Sequence, residues 1–306
     1  MIFQGFYILS TEPLIVSYIG AFPTLPKGFK PKHVLESPGG WSARWKPMVK
    51  FKRHQIQHQL SGRSYHLMVN ASDEEVWRKR WLIQGGHFSS SVYVNEHIYQ
   101  TLNQPKHYDA IYTAQLLPFK RHWLAKDIQN LMIVSYGGDL LTFCPELAHA
   151  EYNKEFIPRP ELAKKLNQAY AGLCLSAVEG AMYASVEYLL CGIPVVSTPS
   201  KGGRDEFFNS ENSIIVPSEA DAVAQAVQQW KASPPNAEKI REQTLKQLNA
   251  IRHGLCTYVA KLIEKDGGGQ KNPEELMEKY FAPPGISSRF VHQRDLANVN
   301  LEQFRV

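Results

Sequence analysis

Cysteine is scarce in this chain, and no long apolar run occurs. The four cysteines among 306 residues (Cys144, Cys174, Cys191, Cys256) stand far apart, with no Cys-x-x-Cys pair. That spacing excludes a disulfide frame or a zinc site and reads as small buried residues in a reducing, cytoplasmic compartment. No stretch approaches the roughly 18 apolar residues that span a bilayer. The segment from Met1 to Gly20 has no basic start and is interrupted by Glu12-Pro13, which argues against a secretory leader. The Gly-x4-Gly-Lys-Ser/Thr phosphate loop, Gly-x-Gly-x-x-Gly, His-Glu-x-x-His and Gly-x-Ser-x-Gly are all missing. Asp-x-Asp, a common metal handle, is missing too. No metal and no cofactor are therefore expected; any anionic ligand would be met by cations and helix dipoles.

What is present is ordinary globular composition, 43% hydrophobic and 21% charged, with a net charge of +5. The length favours two domains. Strand candidates are Leu14–Ile19, Tyr65–Val69, Ser91–Val94, Ala110–Ala114, Leu131–Tyr136, Gly172–Ala177, Pro194–Thr198 and Ser213–Val216. Helix candidates are Asp73–Leu82, Glu96–Leu102, Lys120–Lys126, Pro160–Tyr170, Gly180–Cys191, Arg204–Phe208, Ala220–Trp230 and Ala237–Ile263. Strands alternating with such helices predict an α/β class, with right-handed crossovers and a doubly wound parallel sheet. Polar turn residues Pro105 to Tyr108 place a boundary after residue 108. The expected organisation is a short N-terminal domain 1–108, a ligand-binding domain 109–285, and a tail 286–306 packing on the first.

The informative stretch runs from Leu173 to Glu206. It reads as strand, loop, helix, tight turn, strand, glycine loop and short helix. Gly192 falls where a helix end needs a left-handed residue. Glu179-Gly180 lies beyond the carboxyl end of its strand, where open α/β sheets bind ligands, and the next helix start offers free amides and a positive dipole end. Gly202-Gly203 permits a second close approach of backbone. Glu179 and Glu187 are eight residues apart, about 12 Å if helical. That is too long for a paired-carboxylate acid/base, but it suits two carboxylates gripping opposite ends of an elongated ligand.

Glu179-x7-Glu187, with Cys-Gly-Ile-Pro-Val-Val-Ser-Thr and Gly-Gly-Arg-Asp-Glu after it, resembles the donor-site signature of retaining GT-B glycosyltransferases, the family-four type of group 1. The match runs from about Ala110 to Pro217. It implies the GT-B fold, two Rossmann-like doubly wound domains facing across a cleft. It also implies transfer of a hexose from a UDP- or GDP-linked sugar to a hydroxyl acceptor with retained configuration. Glycan or lipid-linked acceptors in surface polysaccharide or glycolipid synthesis would follow. Glu179 is implied near the transferred sugar, Glu187 near the ribose, and Lys201, Gly202 and Gly203 around the sugar and diphosphate.

Upstream, Lys120-Arg121 can neutralise a diphosphate leaving group. Relatives carry an Arg five positions before the Lys; here that position is Gln115, which brings no charge and points to weakened activity. A catalytic-side His is expected from the first domain, and His87 behind Gly85-Gly86 is the candidate. The segment Trp41–Arg53 mixes aromatics with cations; Pro47 breaks a continuous amphipathic helix, so a solvated loop is expected, with peripheral contact to an anionic membrane as its functional reading. Nucleic acid is the disfavoured partner. Two further readings remain open: a non-catalytic relative that binds a nucleotide sugar or glycan, motivated by Gln115, and a GT-B sugar-nucleotide epimerase.

Overall fold

Apolar runs in both halves of the chain assemble into two separate sheets, as seen in a computed structural model that describes residues 4–306. The strands are β1 (Gly5–Thr11), β2 (Leu14–Ile19), β3 (His33–Ser37), β4 (Ser64–Val69), β5 (Gly85–His87) and β6 (Tyr108–Thr113). They continue as β7 (Leu131–Val134), β8 (Glu151–Tyr152), β9 (Ala169–Cys174), β10 (Val195–Ser197), β11 (Ser213–Ile215) and β12 (Phe290–His292). The α-helices are α1 (Trp45–Leu60), α2 (Ser72–Arg80), α3 (Leu140–Phe143), α4 (Arg159–Asn167), α5 (Tyr183–Leu190), α6 (Ala220–Ala232), α7 (Ala237–Lys265) and α8 (Pro273–Phe281).

The chain divides into one unit of residues up to Asn95 together with Leu248–Val306, and a second of Glu96–Gln247. The divisions expected at 108 and 285 therefore fall instead at 95/96 and 247/248. The reason is local. Helix α7 changes unit midway, and the buried Arg252 in its second half donates to the carbonyls of Val92 and Val94 at 3.2 and 2.8 Å. Asn95 Nδ2 donates to the Pro284 carbonyl at 2.8 Å. These bonds tie residues 248–285 to the first unit rather than to the second.

The first unit's sheet has the order β12-β1-β2-β3-β4-β5. Strands β2 to β5 run parallel, while β1 is antiparallel to both β2 and β12. The tail 286–306 thus supplies an edge strand. Helices α1 and α2 cover one face, where Met48, Phe51, Tyr65, Leu67, Val69 and Ile83 form a core. The later part of α7 and α8 cover the other, with Leu255, Val259, Ile263, Leu276 and Tyr280 inside.

Several expectations change here. The segment around Trp41–Arg53 is helical from Trp45, because Pro47 sits in the first turn, where its missing N–H has no intrahelical acceptor to lose. Ser91–Val94 is no strand: Ser90–Tyr93 is a 3-10 turn capped by the Ser89 hydroxyl. Glu96–Leu102 is irregular, and the helices expected at Lys120–Lys126 and Arg204–Phe208 are short 3-10 turns.

The second unit's sheet is wholly parallel, in the order β11-β10-β9-β6-β7-β8. Chain direction across the sheet reverses between β6 and β9, which makes that gap the topological switch point. Gly172 on β9 lets the buried Tyr188 of α5 lie flat on the sheet; a Cβ there would come within 2.2 Å of the ring. Tyr188 in turn accepts the Thr113 N–H at 2.7 Å, tying α5 to the end of β6. Gly192 ends that helix with φ of 72°, a left-handed conformation only glycine adopts without strain.

Candidate functional site

The switch point brings two oppositely charged side chains together. Lys120, on the loop after β6, donates to Glu179 Oε2, on the loop after β9, at 2.5 Å, and each side chain is only 11% exposed. The backbone builds this meeting. The Tyr112 hydroxyl donates to the Lys120 carbonyl at 2.6 Å, and the Ala177 N–H donates to the Phe119 carbonyl at 3.0 Å. The loops after β6 and β9 are thus stitched together just beyond the sheet.

The loop after β10 joins from the other side. Glu179 N–H donates to the Lys201 carbonyl at 2.9 Å, Lys201 N–H donates to Ala177 O at 3.1 Å, and Val178 and Lys201 form a parallel bridge. Gly202 follows with φ of 109° and ψ of −166°, open to glycine alone, and Gly203 starts a 3-10 turn. Gly180 is buried beside Glu179. Helix α5 begins at Tyr183 rather than at Gly180. Glu179 therefore lies in a loop four residues ahead of the helix, and only Tyr183 to Glu187, about 6 Å, is helical.

The loop after β7 supplies a residue that sequence reasoning missed. Tyr136, Gly137 and Gly138 follow that strand, the two glycines at φ of 95° and 155°. Burial together with the Glu179 charge raises the Tyr136 hydroxyl above its ordinary range. Gln115 lies against Gly137, where a Cβ would stand 3.4 Å from Nε2. Gln115, Lys120, Tyr136, Glu179 and Lys201–Gly203 thus gather at the carboxyl ends of four adjacent strands. Three hydroxyls at the same ends, Thr113 Oγ1, Ser176 Oγ and Ser200 Oγ, are shielded from solvent without a protein partner.

Arg121 is held by the protein itself. In a left-handed conformation, it donates Nε to Leu175 O at 2.5 Å, Nη1 to Ser218 Oγ at 2.9 Å and Nη2 to Thr198 Oγ1 at 2.7 Å. It straps three loop ends together. The fully buried Arg204 likewise ties loop ends together, donating to Ser176 O, Ser197 Oγ and Thr198 O.

Glu187 is half-buried in α5, and its carboxylate takes a hydrogen bond from the buried Tyr99 hydroxyl, with the Arg159 charge nearby. Burial raises its pKa despite both partners. Tyr99 itself is pinned because Arg241 Nη1 donates to its carbonyl and to that of Leu190, each at 2.5 Å. His87 belongs to the other unit, as the exposed last residue of β5. Among the described residues, no cluster of three or more His, Cys, Asp or Glu side chains could hold a metal ion.

A parallel six-stranded sheet with its charged loops at the switch point decides the architecture when set beside known structures. The fold is GT-B. Residues 120–261 match the family described as glycosyl transferase-like, which agrees with the resemblance to group 1 enzymes. Sucrose-phosphate synthase from Thermosynechococcus elongatus superposes with a TM-score of 0.57 at 16% identity, covering 78% of this chain and 70% of that one. Anabaena HepE in complex with UDP gives 0.56 at 12% identity, over 74% and 72% of the two chains. TarM gives 0.54 at 14% identity, with 73% of this chain on 49% of that one. Among curated proteins, none matches this GT-B chain in sequence.

Proposed function

We propose that this chain is a glycosyltransferase that moves a hexose from a UDP- or GDP-linked sugar to a hydroxyl acceptor with retention, without a metal. The carrying observation is the Lys120–Glu179 pair at the switch point of the second unit, ringed by glycine loops. In this reading Lys120 meets the diphosphate, helped by the amides from Gly180 onward, while Glu179 and the Lys201–Gly203 backbone hold the sugar. Gln115 contributes hydrogen bonds only. Arg121 supports the loops instead of touching phosphate, because its donors are already engaged. Glu187 holds the ribose hydroxyls, and Tyr99 fixes its carboxylate. His87 is the acceptor-side residue. As the bond from the anomeric carbon to the β-phosphate oxygen breaks, the acceptor oxygen bonds to that carbon, and the acceptor proton leaves with the diphosphate. The fold-level neighbours fit: HepE was solved with UDP and glucose, and TarM with UDP and α-GlcNAc-glycerol. The acceptor in this reading is a glycan or a lipid-linked sugar, in surface polysaccharide or glycolipid synthesis.

A thermal-shift series with UDP-glucose, UDP-GlcNAc and GDP-mannose tests the reading. A ligand at about 100 times its Kd should stabilise the protein by roughly 2.7 kcal/mol. Glu187→Gln, which still accepts the Tyr99 hydroxyl, should lose that shift while keeping the unliganded Tm. No shift with any of the three sugars refutes the proposal. The uncharged Gln115 favours one second reading, a binder without turnover. Binding with no transfer or donor hydrolysis, in the wild type and in Gln115→Arg alike, would establish it. An isomeric sugar nucleotide formed without acceptor would instead mark an epimerase.

A further inference from the structure

The first unit carries a surface that the donor site does not use. Helix α1 turns Met48, Phe51, Gln55 and His58 inward. The opposite side leaves Trp45, Ile56 and Leu60 exposed at 59%, 47% and 84%. Beside it, α2 and the turn after it expose Val76 and Leu82 at 65% and 79%. The two are neighbours: Lys52 Nζ donates to the Leu82 carbonyl at 3.2 Å, and the Gln84 N–H donates to Gln55 Oε1 at 3.4 Å. Interleaved with these apolar groups are exposed cations, Arg44, Lys46, Lys50, Arg53, Lys79 and Arg80. From Trp41 to Arg63 the sequence has no acidic residue. On α2, Asp73 accepts the Trp41 Nε1–H, and Glu75 is paired with Arg78 and Lys79.

We propose that this face docks on an anionic bilayer, with the cations at the headgroups and Trp45, Ile56, Leu60, Val76 and Leu82 entering the acyl boundary. Charge complementarity argues for it, since Arg44, Lys46, Lys50 and Arg53 are exposed along a stretch of chain that carries no carboxylate. Composition argues for lipid over single-stranded nucleic acid. A stacking platform needs exposed aromatic faces, and Trp45 is the one exposed aromatic among these five groups, the rest being aliphatic. A face about 24 Å long along α1 can lie flat in the interfacial layer. Among the described residues no helix is long and apolar enough to cross a membrane, so this contact is peripheral. The proposal is independent of the transferase reading.

Co-sedimentation of the full chain with vesicles tests it. Binding is expected to vesicles of phosphatidylcholine with one-quarter phosphatidylglycerol, not to phosphatidylcholine alone, and to fall steeply in high salt. Each interfacial cation changes partitioning by roughly fivefold. Lys46→Gln, Lys50→Gln and Arg53→Gln combined should therefore lower it by about a hundredfold, with an unchanged melting curve. Trp45→Ala with Leu60→Ala should weaken binding without altering its salt slope. Equal sedimentation with neutral vesicles, no binding to either, or a triple variant that still binds overturns the proposal. Saturable capture of a single-stranded oligonucleotide, lost in the same triple variant while vesicles are ignored, would assign the face to nucleic acid instead.

Discussion

Glu179→Gln should tighten the binding of a bare nucleoside diphosphate, the opposite of what removing a binding residue ordinarily does. Lys120 Nζ already donates to Glu179 Oε2 at 2.5 Å. A diphosphate oxygen taking another hydrogen of the same ammonium would stand about 3 Å from Nζ, and so about 5 Å from the carboxylate. Like unit charges at that distance repel by about 3 kcal/mol at an effective dielectric near 20. Partial exposure and salt halve this, to about 1.5 kcal/mol, or roughly tenfold in Kd. The amide still accepts the Lys120 hydrogen bond, so the loops stay stitched. Only the charge goes.

The assay is titration calorimetry with UDP and with GDP at low salt. Glu179→Gln should bind the preferred diphosphate about tenfold more tightly than the wild type, while transfer from the sugar nucleotide falls. Lys120→Gln should weaken binding by a similar factor. If the Gln variant binds no tighter and Lys120→Gln is silent, the diphosphate does not lie beside this ammonium, and the assignment of the switch point fails.

Gln115→Arg should raise UDP affinity by about tenfold, as expected for a charge-assisted bond gained in a screened site, read from the same titrations; an unchanged Kd would remove Gln115 from the phosphate end. Gly172→Ala places a Cβ 2.2 Å from Tyr188, so denaturation of the second unit should show a loss of about 1–3 kcal/mol. Burial lowers His58 and His122 to about 4 and His66 to about 3, below the ordinary value of 6.5. Their neutral forms are the native ones, so the stability they lend is whole above pH 6.5 and drains as pH falls toward 4, by about 1.4 kcal/mol per pH unit for each ring. Melts of His66→Asn against wild type between pH 7.5 and 4.5 should show one proton's worth of slope removed; parallel curves would mean that ring is already charged in the folded protein.

How much of this was legible in the sequence follows from how far apart the partners lie. Glu179, Gly180, Glu187 and Lys201–Gly203 could be picked out together because one strand–loop–helix–strand segment carries them all. The charge on Lys120 was legible for the same reason, as it opens a loop directly after a strand. Its pairing with Glu179 was not, because their contact depends on β6 lying next to β9, a matter of strand order. The place of Tyr136 was invisible likewise: it depends on β7 standing beside β6, and its two glycine neighbours resemble any surface turn. Arg121 looked like a phosphate ligand because a cation beside Lys120 has that meaning in a sequence. Its actual acceptors, Leu175, Thr198 and Ser218, are 54 to 97 residues away.

The first unit was harder to read for a different reason. Strands β1 and β3 are buried on both faces, so they show no alternation that a period-two reading could catch. Helix α1 was hidden by Pro47, a breaker in a helix interior but harmless in a first turn. Once that helix is recognised, the mixture of tryptophan and lysine changes meaning. As a loop it is a solvated cover. As a helix, the three- and seven-residue spacing of Met48, Phe51, Gln55 and His58 fixes which side faces the core, and so commits Trp45, Lys46, Lys50 and Arg53 to the outside. The basic face of the first unit is therefore a direct consequence of its core packing.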